Sequence, residues 1–132
     1  MKPIKFIILS LILIPLQFGF KSVFAEIPPQ IFESLKIANI EQLSPFLSSS
    51  VELQILEKDD IYSKSQSTII IKSFFDKITI KTFSILHQGG KEEAQYAICQ
   101  IIDTNGKKYR IYFLVKEINK KTLIHQFRIE EE

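Results

Sequence analysis

The chain has 132 residues, with 17 Lys and Arg, 15 Asp and Glu, and a single cysteine. This length suffices for one domain with a single core, and one cysteine cannot form an internal disulfide, so packing alone has to stabilise the fold. The formal charge of +2 includes three lysines within residues 1–25, and without them 14 basic residues face 15 acidic ones, a net charge of −1. Because no basic surface is left, the composition excludes nucleic acid and acidic membranes as partners.

The amino-terminal segment, residues 1–25, is predicted to be a cleaved signal peptide. Lys2 and Lys5 give it a positive start, an apolar run follows from Phe6 to Leu16, and Ala25 is a small residue before the expected cleavage site. A retained membrane anchor is the alternative, but the apolar stretch is shorter than the about 20 residues that a spanning helix needs. We therefore expect a single exported α+β domain over residues 26–132, in the periplasm or secreted.

Two helical segments are predicted to open this domain. Pro28-Pro29 is suited to a helix start, because proline fits the first turn, and the apolar residues that follow keep helical spacing up to Asn39. A short helical turn is expected over Glu41 to Leu47. Strict alternation from Val51 to Ile55 then predicts a half-buried strand.

The next helix has the clearest start signal in the chain. Ser63 followed three residues later by Gln66 is a capping box, in which each side chain bonds the backbone of the other residue. The predicted buried face consists of Ile70, Ile71, Phe74, Phe75 and Ile78. We expect it to be the longest helix, stabilised by tertiary packing because β-branched residues lower its intrinsic propensity.

Everything after Thr82 is predicted to be strand. The four strands are Thr82 to Gln88, Glu93 to Ile102, Lys108 to Glu117 and Thr122 to Glu130. Asn105-Gly106 between two apolar runs is a strong hairpin signal. The element order is therefore α-α-β-α-β-β-β-β, in which a strongly curved antiparallel sheet buries one face against the helices.

A tight turn at Asn105-Gly106 sets the predicted pairing of the two central strands. With these two residues as the loop, Ile98 lies opposite Phe113 and Gln100 opposite Ile111, on the face that we expect to be the core. The opposite face then carries Ala97, Cys99, Ile101, Tyr112 and Leu114, with Arg110 toward one end. A solvated face would alternate to polar residues, so either the other helices or a second copy covers this one. We favour a homodimer through this outer sheet face.

Several short motifs point to a known family. Phe74-Phe75, Phe83, His87-Gln88-Gly89, Tyr109-Arg110 and Gln126 to Glu130, in this order after a signal peptide, resemble the domain of unknown function 4783 family of small exported bacterial proteins. The resemblance covers essentially the whole domain. It implies the cystatin-like, nuclear-transport-factor-2-like architecture, a curved sheet wrapped on helices, and it implies no activity.

The two histidines do not form a predicted metal site. His87 and His125 lie on strands three spacings apart in the meander, which is about 14 Å, and no third ligand accompanies them. His87 is interpreted as a buried, hydrogen-bonded structural residue that orders the Gly89-Gly90 turn. Cys99 has apolar neighbours that would raise its pKa, so we interpret it as a packed thiol. We assign no metal, no cofactor and no catalytic residue.

A cavity between the sheet and the long helix is the candidate site. In the architecture that the resemblance implies, His87, Tyr96, Gln100 and Tyr109 are predicted to line it, and hydroxyl groups on an apolar wall suit a small apolar ligand with one polar group. The alternative is that these tyrosines belong to the core. We expect a non-enzymatic module that binds a protein partner or a small ligand. The alternative function is a cavity enzyme, an isomerase or hydrolase with His87 as proton carrier.

Overall fold

The computed structural model describes residues 26–132, so the predicted signal peptide lies outside the described residues. The helices are α1 (Pro29–Lys36), α2 (Ile40–Leu43), a 3₁₀ turn (Ser44–Phe46) and α3 (Lys64–Phe75). The strands are β1 (Leu47–Ile55), β2 (Lys58–Ser63), β3 (Ile80–Lys91), β4 (Ala94–Asp103), β5 (Lys108–Ile118) and β6 (Lys121–Glu131). Within this range no helix is long and apolar enough to cross a membrane.

All six strands form one sheet in the order β2-β1-β6-β5-β4-β3. The four strands after α3 are the predicted antiparallel meander, and β1 joins it by pairing parallel to β6. The α+β fold class is confirmed, whereas the predicted order lacks β2. This edge strand pairs with β1 through charged residues such as Asp59 and Asp60, and Tyr62 is its only partly buried side chain. It therefore has no apolar alternation from which a strand could be predicted.

The helix boundaries follow from local hydrogen bonds. After α1, the N–H of Asn39 donates to Ser34 O at 2.8 Å and that of Ala38 to Leu35 O at 3.2 Å, while Ala38 adopts a φ of +55°. These contacts form a Schellman ending, in which glycine is the usual left-handed residue. Asn39 then caps α2, because its side-chain oxygen accepts a hydrogen bond from the backbone N–H of Gln42 at 3.1 Å.

The capping box predicted for α3 is present. The N–H of Gln66 donates to Ser63 Oγ at 3.2 Å, and the N–H of Ser63 donates to Gln66 Oε1 at 3.4 Å. Of the predicted apolar face, Ile71, Phe74 and Phe75 are buried, and Ile70 and Ile78 are partly buried. The helix therefore packs on the inner face of the sheet as its sequence pattern indicates.

The turn between β4 and β5 is one residue longer than predicted. The N–H of Asp103 donates to Lys107 O at 2.9 Å and that of Gly106 to Asp103 O at 3.0 Å, which leaves a three-residue loop. Gly106 has a φ of +83°, the left-handed conformation that such loops require. The carboxylate of Asp103 stabilises this loop, since Oδ1 accepts hydrogen bonds from Asn105 N and Lys107 N, both at 2.9 Å.

The longer loop shifts the register by one residue and exchanges the two faces of β4. Ile98 pairs with Tyr112 and Gln100 with Arg110. The predicted dimer face is therefore wrong as a set, because a one-residue shift moves every side chain of a strand to the other face. Its members Ala97, Cys99 and Ile101 are fully buried in the core, whereas Tyr112 and Leu114 lie on the outer face, partly exposed.

Candidate functional site: a groove beside α3 and a polar outer face

A groove of about 750 Å³ lies between the second half of α3 and the carboxyl ends of β1 and β6. Its apolar lining comes from Ile55 at the end of β1, from Ile70 and Phe74 on α3, and from Leu56 in the turn that follows β1. Ile55 and Phe74 are each 6% exposed and form a floor continuous with the core. Such an apolar floor can hold a small molecule or a side chain.

Charged residues form the rim of this groove. They are Glu57, Lys58, Lys77, Glu130 and Glu131. Glu131 is already engaged, because Lys107 Nζ lies 3.1 Å from its Oε1 and the hydrogen bond to Glu131 raises the pKa of that lysine. Lys58 and Lys77 make no ion pair with any residue in the part of the chain that the structure describes. The groove therefore combines an apolar floor with a rim of mixed charge, in which Lys58, Lys77, Glu57 and Glu130 make no ion pair with any described residue.

A row of side chains crosses four strands on the outer face of the sheet, the face turned away from the helices. His87 Nε2 lies 2.9 Å from the hydroxyl of Tyr96, whose ring lies 6.0 Å from that of Tyr112 at an interplanar angle of 29°. The guanidinium of Arg128 lies 5.5 Å from the centroid of Tyr112. We call His87, Tyr96, Tyr112 and Arg128 the outer-face row. His87 and Arg128, at the two ends of the row, are exposed. The prediction of a buried His87 beside a Gly89-Gly90 turn is therefore wrong, because both glycines lie within β3.

A second polar cluster lies beside the row. Glu132 accepts hydrogen bonds from Gln100 Nε2 at 2.9 Å and from Arg110 Nε at 3.0 Å, and Arg110 Nη2 is 3.0 Å from the same carboxylate. Gln100 is therefore engaged by a carboxylate at the surface, away from the groove.

The four residues predicted to line one cavity do not meet. His87, Tyr96 and Gln100 lie on the outer face, whereas Tyr109 lies on the inner face, 5% exposed, with its ring edge-on to Phe74 at 5.1 Å. The register shift explains the separation, because it turns Tyr96 and Gln100 outward. Only Tyr109 comes near the groove, in the layer behind Phe74. The groove was not predicted, because its lining residues come from α3, from the ends of β1 and β6 and from the turn before β2, and no sequence signal joins these segments.

The remaining candidates for chemistry lie apart from one another. Burial raises the pKa of the Cys99 thiol to about 12, so this group stays protonated and unreactive, as predicted for a packed thiol. His125 is on β6, and burial together with the nearby ammonium of Lys116 lowers its pKa. His87 is on β3, with β4 and β5 between the two histidines. Among residues 26–132 no group of three or more His, Cys, Asp or Glu side chains is placed to hold a metal ion.

The three α-helices and the six-stranded sheet form an α+β fold of the nuclear-transport-factor-2-like (NTF2-like) kind. An NTF2-like protein of unknown function from Shewanella baltica has the same fold, with a TM-score of 0.59 and 14% identity over 79% of this chain and 86% of that one. The family model described as Domain of unknown function (DUF4783) matches residues 28–130, and the chain belongs to this family.

Two solved family members are closely similar in structure. The DUF4783 family protein from Bacteroides ovatus is 28% identical, with a TM-score of 0.76 over 81% of this chain and 96% of that chain. The one from Bacteroides fragilis is 23% identical, with a TM-score of 0.75 over 81% of this chain and its own entire length. A comparison with curated proteins gives no match.

Proposed function

We propose that this protein is an exported, non-enzymatic binding domain, periplasmic or secreted, which holds a small apolar molecule with an acidic group in the groove beside α3. The observation that carries this proposal is the combination of the floor of Ile55 and Phe74 with the uncommitted ammonium groups of Lys58 and Lys77. Apolar contact would supply most of the affinity, and the lysines would select and orient the acidic group.

The position of His87 favours binding over catalysis. As the proton carrier of the enzymatic alternative, it would have to face the bound molecule. It is instead on β3, three strands away from β6 and four from β1, and it is bonded to Tyr96 on the outer face. A general base has to lie within hydrogen-bond reach of its substrate. The ionisable groups that line the groove are lysines and carboxylates, and no imidazole or thiol is among its lining residues.

Fluorescence titration with anilinonaphthalene sulfonate, an apolar anion, tests the proposal. We expect saturable binding that dodecanoate displaces more strongly than dodecyltrimethylammonium, because the carboxylate of dodecanoate can accept hydrogen bonds from Lys58 and Lys77, whereas a quaternary ammonium group donates none to the rim carboxylates. The double substitution Lys58→Glu with Lys77→Glu should weaken dodecanoate binding by about tenfold. Lys81→Glu with Lys121→Glu, at two exposed lysines outside the groove lining, is the matched control and should leave the affinity unchanged. Equal affinity for the anionic and cationic amphiphiles would contradict the proposal.

Self-association through the outer face is a second candidate function. Ile98 and Leu114 are only partly exposed apolar residues in the middle of this face, next to Tyr112, where a fully solvated sheet would carry polar side chains. With the register corrected, these residues replace Ala97, Cys99 and Ile101 as the proposed contact.

The solution mass tests this candidate. Light scattering should give twice the mass of one chain for the native protein, and Ile98→Lys should reduce it to the monomer. Ile69→Lys, at an isoleucine that is 68% exposed on α3, serves as the control and should leave the dimer intact. A native mass of one chain at micromolar concentration would exclude the dimer.

A further inference from the structure

The turn between β1 and β2 contains a leucine in an unfavourable backbone conformation. Ile55 pairs with Lys58, so the turn consists of Leu56 and Glu57 alone, and Leu56 has a φ of +54° while Glu57 does not have a positive φ. A positive φ at the first central residue only is the pattern of a type II′ turn, in which glycine occupies that position. A side chain with a Cβ is disfavoured there, and leucine is an unusual choice.

The start of this turn is hydrogen-bonded to the neighbouring strand β6. The backbone N–H of Leu56 donates to Ile129 O at 3.0 Å, which continues the parallel pairing of β1 with β6 one step past the last paired residue, Ile55. The turn is therefore held at the place where two strands and the groove meet. Because φ of Leu56 sets the direction in which the chain continues into β2, a change to a negative φ would disrupt the pairing of Lys58 with Ile55.

Core packing does not compensate for the strain. The Leu56 side chain is 43% exposed and lies over the groove, whereas every other apolar residue of the floor is mostly buried. Among residues 26–132 the other non-glycine residues with positive φ are Ala38, Asn119 and Lys120. The first is small and ends a helix, and the other two are polar turn residues, so Leu56 is the only large apolar side chain in this conformation. Strain of this kind, held in place by surrounding structure, is concentrated at functional positions.

We propose that Leu56 is a ligand-contacting residue that covers the apolar part of an amphiphilic anion bound in the groove. The inference rests on the proposed function and adds a specificity determinant to it. Leu56 lines the same groove as the floor residues Ile55 and Phe74 and is more exposed than either, so that a bound alkyl or aryl group would contact it as well as the floor. Lys58, two residues further along the same hairpin, is then available for the acidic group. Selection for binding, rather than for folding, explains a leucine where glycine would fit without strain.

Glycine substitutions at two left-handed positions provide a matched test. Leu56→Gly and Ala38→Gly both remove a Cβ from a residue with a φ near +55°, and both should raise the urea midpoint of unfolding. Only Leu56→Gly should weaken dodecanoate binding, by about tenfold, since much of a leucine side chain loses its contact. Leu56→Asn, a residue that tolerates the left-handed conformation but lacks the apolar bulk, should show the same loss. Ala38→Gly should bind as the native protein does.

The outcomes separate this inference from the proposed function. If the native protein does not bind dodecanoate, the proposed function fails and the role of Leu56 fails with it. If the native protein binds and Leu56→Gly binds equally well, the groove is a ligand site but Leu56 does not contact the ligand. If Leu56→Gly lowers the urea midpoint, the side chain stabilises the fold, and the inference is overturned on that ground alone.

Discussion

The hydroxyl of Tyr96 lies 2.9 Å from Nε2 of His87, on the outer face of the sheet. This contact depends on a third residue, because the tyrosine ring crosses Gly89 on the neighbouring strand. A Cβ atom added to Gly89 would lie 2.9 Å from the tyrosine hydroxyl oxygen and 3.0 Å from its Cζ. The absence of a side chain at position 89 therefore allows β3 and β4 to be bridged by one hydrogen bond on this face.

Gly89→Ala should break this bridge. The tyrosine has to swing away from the new methyl group, and the hydrogen bond to His87 is lost, at a cost of about 1 kcal/mol in the free energy of unfolding. Tyr96→Phe should cost a similar amount for the same reason. Because both changes remove one contact, the double variant should lose less than the sum of the two, as urea unfolding can measure. Strict additivity would show that the two residues act independently.

Cys99 should make the unfolding free energy depend on pH in the alkaline range. The unfolded thiol ionises from its ordinary pKa of 9.0 upward, whereas burial keeps the folded thiol protonated to about 12. Below pH 9 both states hold the proton and the slope is zero. Above it the unfolded state releases a proton that the folded state retains, so the stability falls by about 1.4 kcal/mol per pH unit until the folded pKa is reached.

The control for this prediction is Cys99→Ala, which has no thiol to titrate. The difference in unfolding free energy between the native protein and this variant should shrink steadily from pH 9 to pH 11 in urea titrations, and it should be constant from pH 6 to pH 8. Rapid labelling of the native thiol by a disulfide reagent at neutral pH would contradict the buried, protonated state.

Asp103 should stabilise the β4–β5 hairpin through its carboxylate oxygen. Asp103→Ala leaves the N–H groups of Asn105 and Lys107 without their acceptor and should cost about 1–3 kcal/mol, whereas Asp103→Asn retains an oxygen in the same place and should cost less. Thermal or urea unfolding of the two variants measures the difference. Equal destabilisation by alanine and asparagine would show that the charge, and not the acceptor, is what the loop needs.

The elements with local sequence signals could be predicted well. Ser63 and Gln66 specify the start of α3 through their own hydrogen bonds, and the turn residues around Asn105 place the central hairpin. The strand limits in the meander agree with the prediction to within a few residues. Such signals depend on neighbours in the chain, which the sequence displays directly.

The face of β4 could not be predicted in the same way. Asn-Gly fits a two-residue or a three-residue loop, and the choice depends on the Asp103 carboxylate bonding two backbone N–H groups. The residues of β4 do not indicate which register is right, because Ile98 and Ile101 place apolar side chains on both faces of the strand. The cavity was therefore predicted with the wrong lining residues, because the face of the sheet on which Tyr96 and Gln100 lie depends on this register. The groove was missed for another reason, namely that its lining comes from α3, from the ends of β1 and β6 and from the turn at Leu56, which are far apart in the sequence.

The position of β6 has a consequence for how the chain folds. This strand comes last along the described chain, yet it lies between β1 and β5 in the interior of the sheet. Gln126 on β6 donates to Glu52 on β1 at 2.8 Å across 74 residues of sequence. Before β6 joins the sheet, the sheet consists of two separate parts with open edges. One part is the pair of β1 and β2, and the other is β3, β4 and β5. The domain should therefore stay incompletely folded until β6 is available, and it should then fold slowly because its decisive contacts are non-local.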